Sequence, residues 1–176
     1  MPDGVDVVIG PGDYPVKVSV ADVSDEQDGS HMREAYLSLV IADGAAARHA
    51  PMTPPGAVDP EPGMYVGVGV DAGTVAFVDQ LAARTLMPAP RGDWQKTLFE
   101  TGKPDSWFSQ MDAGSPLPSG YANIVLPLAR NGENIVLSHS GWGDGFYPVI
   151  GVRDARGALL SVHIDLQVIG EFTTSE

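Results

Sequence analysis

The sequence predicts a mainly β fold, an antiparallel β-sandwich or rolled sheet with a few short helices. Three observations carry that prediction. Short runs alternate apolar and polar residues with a period of two. Between them fall 21 Gly and 15 Pro in 176 residues, a usage that suits many strands joined by turns. Asn131-Gly132 and residues 154–157 stand where hairpin connections belong.

Residues 14–20 set Val16, Val18 and Val20 against Lys17 and Ser19, a strand with one wet face. Residues 34–41 place Leu37, Leu39 and Ile41 on one side, and the acidic stretch 22–31 reads as the hairpin loop joining the two strands. Residues 42–63 carry Pro51, Pro54, Pro55, Pro60 and Pro62. Neither a helix nor a central strand tolerates that density, so a long surface loop is expected. Residues 64–70 then alternate Val66, Val68 and Val70 with Gly67 and Gly69, and a glycine face marks the close approach of another element.

After Asp71-Ala72-Gly73 the period changes. Phe77, Leu81 and Leu86 among alanines predict a short helix over 74–84 that stops before Pro88. Asp93 is expected to cap a second helix running to Glu100, with Gly102 as its stop. Residues 104–111 suggest a third helical turn, with Trp107 and Phe108 packing inward. The last third predicts strands over 121–128, 134–140, 146–152 and 158–168. In the final one Leu160, Val162, Ile164 and Leu166 share a face, and Ser161, His163, Asp165 and Gln167 share the other.

The length fits one domain spanning residues 1–176. Lys and Arg number 10 against 23 Asp and Glu, a net charge of −13 that repels phosphate backbones and argues against nucleic acid as a partner. Cysteine is absent, which removes disulfides, thiolate nucleophiles and Cys-based metal sites together. No run approaches 18 apolar residues, so no membrane partner or span is expected. The start, Met1-Pro2-Asp3-Gly4, lacks the basic and apolar segments of a signal peptide, and a cytoplasmic protein is the expectation.

Chemistry concentrates in residues 138–148, Ser-His-Ser-Gly-Trp-Gly-Asp-Gly-Phe-Tyr-Pro. Alternating glycines permit a backbone that other residues resist and expose the indole and carboxylate set between them. Trp142 is a candidate stacking platform, and Asp144 a candidate acceptor, base or ligand. Asp71, Asp79 and Asp144, if brought together, would make an oxygen site for a divalent cation, the one cofactor the sequence leaves open. With His139 they are the candidate catalytic residues; Ser140, Trp142, Tyr147 and Asp165 are the candidate ligand-binding ones. His163 and Asp165 share a strand face, and with Ser140 or Ser161 a Ser-His-Asp arrangement is conceivable. No G-x-S-x-G elbow, zincin spacing or P-loop accompanies it.

The blocks Gly12-Asp13-Tyr14-Pro15-Val16, Glu34-Ala35-Tyr36-Leu37, Val70-Asp71-Ala72-Gly73-Thr74 with Phe77 and Asp79, and Ser140-Gly141-Trp142-Gly143-Asp144-Gly145 with Tyr147-Pro148 occur in that order. Together they resemble a bacterial family, the domain of unknown function numbered 4241. Asp165-Leu166 stands where the resemblance leads one to expect Asp-Phe, and no tryptophan accompanies Arg48-His49. The resemblance implies one domain and makes Asp71, Asp79, Trp142, Asp144 and Tyr147 one motif set. It implies no activity. Two classes of function follow. One is a non-enzymatic binding module of immunity or accessory type, taking a protein or small-molecule partner at the Gly-Trp-Gly-Asp-Gly loop. The other is a carboxylate-based enzyme of hydrolase or lyase type built on the three aspartates.

Overall fold

The computed structural model describes residues 4–89 and 93–170; Met1-Pro2-Asp3, read above for a leader, lies outside them. The fold is mainly antiparallel β, as predicted, with two sheets and three short helical segments among the described residues. The strands are β1 (Val16–Asp22), β2 (Met32–Val40), β3 (Arg48–Pro51), β4 (Gly67–Val70) and β5 (Thr74–Val78). They are followed by β6 (Tyr121–Val125), β7 (Asn134–His139), β8 (Gly145–Arg153) and β9 (Leu159–Asp165). Helices α1 (Gln80–Thr85) and α2 (Trp107–Asp112) flank a π-helical turn at Gln95–Phe99. No helix among the described residues is long and apolar enough to cross a membrane.

The chain divides into two compact units, one formed up to Val75 and again from Ser140, the other from Ala76 to His139. The first holds a sheet in the order β1-β2-β9-β8-β3, with β4 also paired to β8. The pairs are antiparallel, and their register sorts the side chains by face. Leu37 lies opposite Ile164 and Leu39 opposite Val162, while Val149 and Gly151 meet the same two residues from β8. Leu37, Val149, Val162 and Ile164 are buried. Gly151 lacks a side chain for a steric reason: a Cβ there would take the place of the Met52 sulfur. The intervening positions, Tyr36 opposite Asp165 and Ser38 opposite His163, point to the other face.

The second unit, which takes β5 from Ala76 onward, contains most of the sheet β5-β7-β6 and its own core of Trp107, Met111, Ala122, Ile124, Leu126 and Leu137. Phe99 packs edge-on against Trp107 and Phe108, with centroids 4.8 and 5.3 Å apart. Trp107 is buried as expected, and Phe108 is partly so.

Three local expectations are corrected. The loop 42–63 contains strand β3, which the prolines tolerate because it is a sheet edge and Pro51 is its last residue. The helix expected over 74–84 begins only at Gln80. Thr74, Val75 and Val78 are β-branched and suit a strand, and Asp79 is the N-cap, not an interior residue, its Oδ1 accepting from the Ala82 N–H at 2.7 Å. Asp93 does not cap the next helical segment: the cap position is Trp94, without a side-chain cap bond, and the Asp93 carbonyl instead accepts from the Thr97 hydroxyl. The hairpin expected at Asn131-Gly132 joins β6 to β7, with Gly132 at φ 84°.

That turn is closed by Glu133. One carboxylate oxygen accepts from the Arg130 and Asn131 N–H groups, both at 2.9 Å, and the other from the Asn131 side-chain amide. These bonds, led by the Asn131 N–H, hold the carboxyl at about 2, far below its ordinary value of 4.5. A depressed carboxylate stabilises the fold above its unfolded pKa, and that contribution is lost as pH falls through the folded one. We expect a carboxyl NMR titration of Glu133 to have its midpoint near 2. A midpoint near 4.5 would show the turn to be open in solution.

Candidate functional site

Residues 140–148, which lead into and begin β8, form a corner in which two side-chain hydroxyls are spent on one backbone carbonyl. The Ser140 and Tyr147 hydroxyls both donate to the Gly143 carbonyl, at 2.7 and 2.9 Å. Ser140 and Tyr147 are buried, and burial pushes the Tyr147 phenol up from its usual value. Gly141 has φ 66°, and a Cβ there would lie 2.6 Å from the Glu34 carbonyl oxygen and 2.8 Å from a Val168 methyl. Glycine is therefore required for both conformation and space. Between the glycines, Trp142 is left 53% exposed.

The corner meets the bend after β4 through the backbone of Gly73. The Gly73 N–H donates to Asp144 Oδ1 at 3.0 Å, and the Ser140 N–H donates to the Gly73 carbonyl at 3.0 Å. Asp71 is exposed in the bend just before. Asp79 spends an oxygen on capping α1. His139 ends β7 in the second unit and pairs with Asp112 at 3.3 Å. Both partners are largely solvated, and pairs of that kind contribute about 0–1 kcal/mol. Among the described residues no three His, Asp or Glu side chains gather as a metal site.

The other concentration of polar groups lies on the wet face of the first unit's sheet. A cavity of about 360 Å³ opens there, lined by Ser19 from β1, Tyr36 and Ser38 from β2, His49 from β3 and His163 and Asp165 from β9. Ile150 and Val152 of β8 supply an apolar wall. His163 is held from both sides: Nδ1 shares a hydrogen bond with the Ser38 hydroxyl and Nε2 with the Ser161 hydroxyl, each 2.7 Å. Burial first, and neighbouring His49 second, hold the ring below the usual histidine value, so it is neutral at pH 7. A neutral imidazole has one N–H, so it donates to one serine and accepts from the other.

A family model of proteins of unknown function, DUF4241, matches residues 5–164 of the 176-residue chain. The chain belongs to that family. No curated protein and no solved structure matches it. The DUF4241 match takes in the whole Trp142 corner and His163, and it ends one residue before Asp165.

Within this DUF4241 chain Asp165 is only 4% exposed. Its Oδ1 accepts from the Gln167 N–H at 2.9 Å. One such bond contributes roughly 1.5–3 kcal/mol, whereas desolvating a carboxylate costs several, so burial wins and the carboxyl is pushed above its ordinary value. Tyr36 is pushed up as well, by burial first and by the neighbouring Asp165 charge second. Sequence reasoning found Asp165 and the His163 face but not Tyr36, Ser38, Ser19 or His49. A signal was present for two of them, since Tyr36 and Ser38 alternate with Leu37 and Leu39, but the pairing of β2 with β9 is invisible in one strand.

Two outcomes follow. Gly141→Ala should destabilise the fold by about 2–4 kcal/mol, from positive-φ strain plus overpacking, read as a lowered urea midpoint. Because His163 titrates below 6.5 in the fold, the unfolded chain binds its proton first, so stability falls as pH drops below about 6.5. The thermal midpoint should therefore drop less between pH 7 and 5 in His163→Gln than in the wild type; equal drops would contradict a buried neutral ring.

Proposed function

We propose that this chain is a non-enzymatic binding module, of immunity or accessory type in the bacterial cytoplasm, that docks a cationic protein surface through Trp142 and the acidic loop beside it. One contact carries the reading. The Trp142 indole stands edge-on to His31, with ring centroids 6.0 Å apart at 86°. His31 closes the β1–β2 loop, its carbonyl accepting from the Val23 N–H at 2.8 Å. That loop holds Asp25, Glu26 and Asp28 exposed. An aromatic platform and a group of carboxylates are thus joined at one residue.

The indole is already suited to cations. The Arg33 guanidinium lies 5.4 Å from the ring centroid and donates through Nε to His31 at 3.0 Å. At an exposed site such a contact contributes about 0.5–1 kcal/mol, too little to hold Trp142 from a partner's arginine or lysine. Phe146, 51% exposed and stacked on Tyr65 at 5.8 Å, adds a second aromatic surface in the same unit. Rigid exposed aromatics are what interface hot spots are made of. The charge of −13 speeds encounter with a basic partner. The carboxylate-enzyme alternative lacks comparable support, since Asp79 and Asp144 serve backbone N–H groups.

Fluorescein-labelled nona-arginine, followed by anisotropy, tests the reading. Binding is expected at ~10 mM salt and should weaken towards ~150 mM as the Debye length shrinks from about 30 to 8 Å. Trp142→Ala should weaken it by about tenfold or more. An unchanged affinity in Trp142→Ala would remove Trp142 from the partner site, and a salt-independent one would remove the acidic loop.

A further inference from the structure

The cavity on the wet face of the sheet plays no part in docking at Trp142, and it has a chemistry of its own. We propose that it binds a small primary amine, whose ammonium group is anchored by the Asp165 carboxylate and whose carbon stem lies against Ile150 and Val152. The anchor is an oxygen with nothing to do. Asp165 Oδ1 takes the Gln167 N–H, and no second hydrogen bond to this side chain exists among the described residues. No side-chain polar atom among the described residues is both sealed from solvent and without a partner, so the second oxygen is not fully sealed, and Asp165 lines the cavity.

The rest of the lining selects the sign of the ligand. It contains one carboxylate, the Tyr36 phenol, the Ser19 and Ser38 hydroxyls and the His49 imidazole, but neither Lys nor Arg. The His163 ring is neutral with both nitrogens engaged by serines, so it offers an anion nothing. An ammonium group has three donors to distribute over the free carboxylate oxygen and the surrounding hydroxyls. The volume, about 360 Å³, falls at the lower end of small-molecule sites, which run from about 300 to 1,000 Å³.

A structural role does not account for the charge. Asparagine would accept the same Gln167 N–H without placing an ion in a desolvated position. The carboxylate is pushed up by burial, so at neutral pH its charge opposes folding until a cation arrives. Asp165→Asn should therefore raise the unfolding midpoint of the free protein while weakening amine binding. That opposite movement separates a ligand anchor from a framework residue.

The probes are 1,4-diaminobutane and 2-aminoethanol, with butanoate as the anionic counterpart, each titrated calorimetrically into the full chain. Both amines should bind and butanoate should not. Asp165→Asn should cost about 10- to 100-fold in amine affinity, the range of a charge-assisted hydrogen bond. Tyr36→Phe, which keeps the ring and the fold, should cost about 3- to 10-fold and serves if the Asn variant does not fold. Trp142→Ala should leave amine affinity unchanged, so the docking surface and the cavity stand or fall separately. No heat from either amine at ~10 mM, binding of butanoate equal to that of the amines, or wild-type affinity in Asp165→Asn would each overturn the proposal.

Discussion

The register between β2 and β9 is the constraint on which the first unit rests. Leu37 opposite Ile164 and Leu39 opposite Val162 put the apolar side chains on one face, and the pleat then sends Tyr36, Ser38, His163 and Asp165 to the other. A slip of one residue would exchange the two sets. Each buried aliphatic side chain would lose roughly 1.5–3 kcal/mol, and an aspartate would enter the core at a cost of several more. The choice of register is therefore not close. The same choice that builds the core assembles the polar cavity, and no separate interaction is needed to bring Tyr36 to Asp165 or Ser38 to His163. Strand β8 completes it by presenting Ile150 and Val152 on the polar side, next to His163 and Ser161.

Two groups of polar residues in this unit behave in opposite ways. At the Trp142 corner, Ser140 and Tyr147 converge on the Gly143 carbonyl and Asp144 takes the Gly73 N–H. Those side chains act as fasteners, and what they fasten is the backbone that displays Trp142. On the sheet face, burial disfavours the charged forms of Tyr36, His163 and Asp165 together. His163 resolves the conflict by staying neutral between two serines. Asp165 does not, having one backbone bond and one free oxygen. Unrelieved desolvation of that kind is where binding sites are found, because a ligand can supply what the fold withholds.

Much of this architecture can be read in the chain, and what cannot has identifiable causes. The alternation of β9 is unmistakable, so its buried face and its polar face, His163 and Asp165 included, follow from period alone. The corner at 140–148 is visible because three spaced glycines have few other uses, and its meeting with the 71–73 bend follows from the family likeness. The character of that meeting does not follow. A carboxylate that accepts a backbone N–H and one that waits for a ligand have the same sequence signature. Strand β3 is hidden because proline is forbidden in sheet centres but tolerated at an edge, and edge position is a property of the topology. The strand at Thr74–Val78 is hidden because alanines and a phenylalanine imitate helical spacing over so short a run. Ser19, Tyr36, Ser38 and His49 come from three strands, and only the pairing gathers them.

Net charge would not by itself explain the preference for cations proposed at either place. At physiological salt the Debye length is about 8 Å, so most of the −13 is screened from any one site. What acts on a bound group is the charge fixed within that distance. At the surface this is the carboxylate loop that His31 ties to Trp142. In the cavity it is Asp165, whose burial removes the water that would screen it. The first arrangement suits a large partner met from solution, with modest interaction per group and strong salt dependence. The second suits a small ligand, with one strong interaction insulated from salt. Ionic strength is thus the physical variable that tells the two sites apart, since it should weaken one several-fold across a range that barely touches the other.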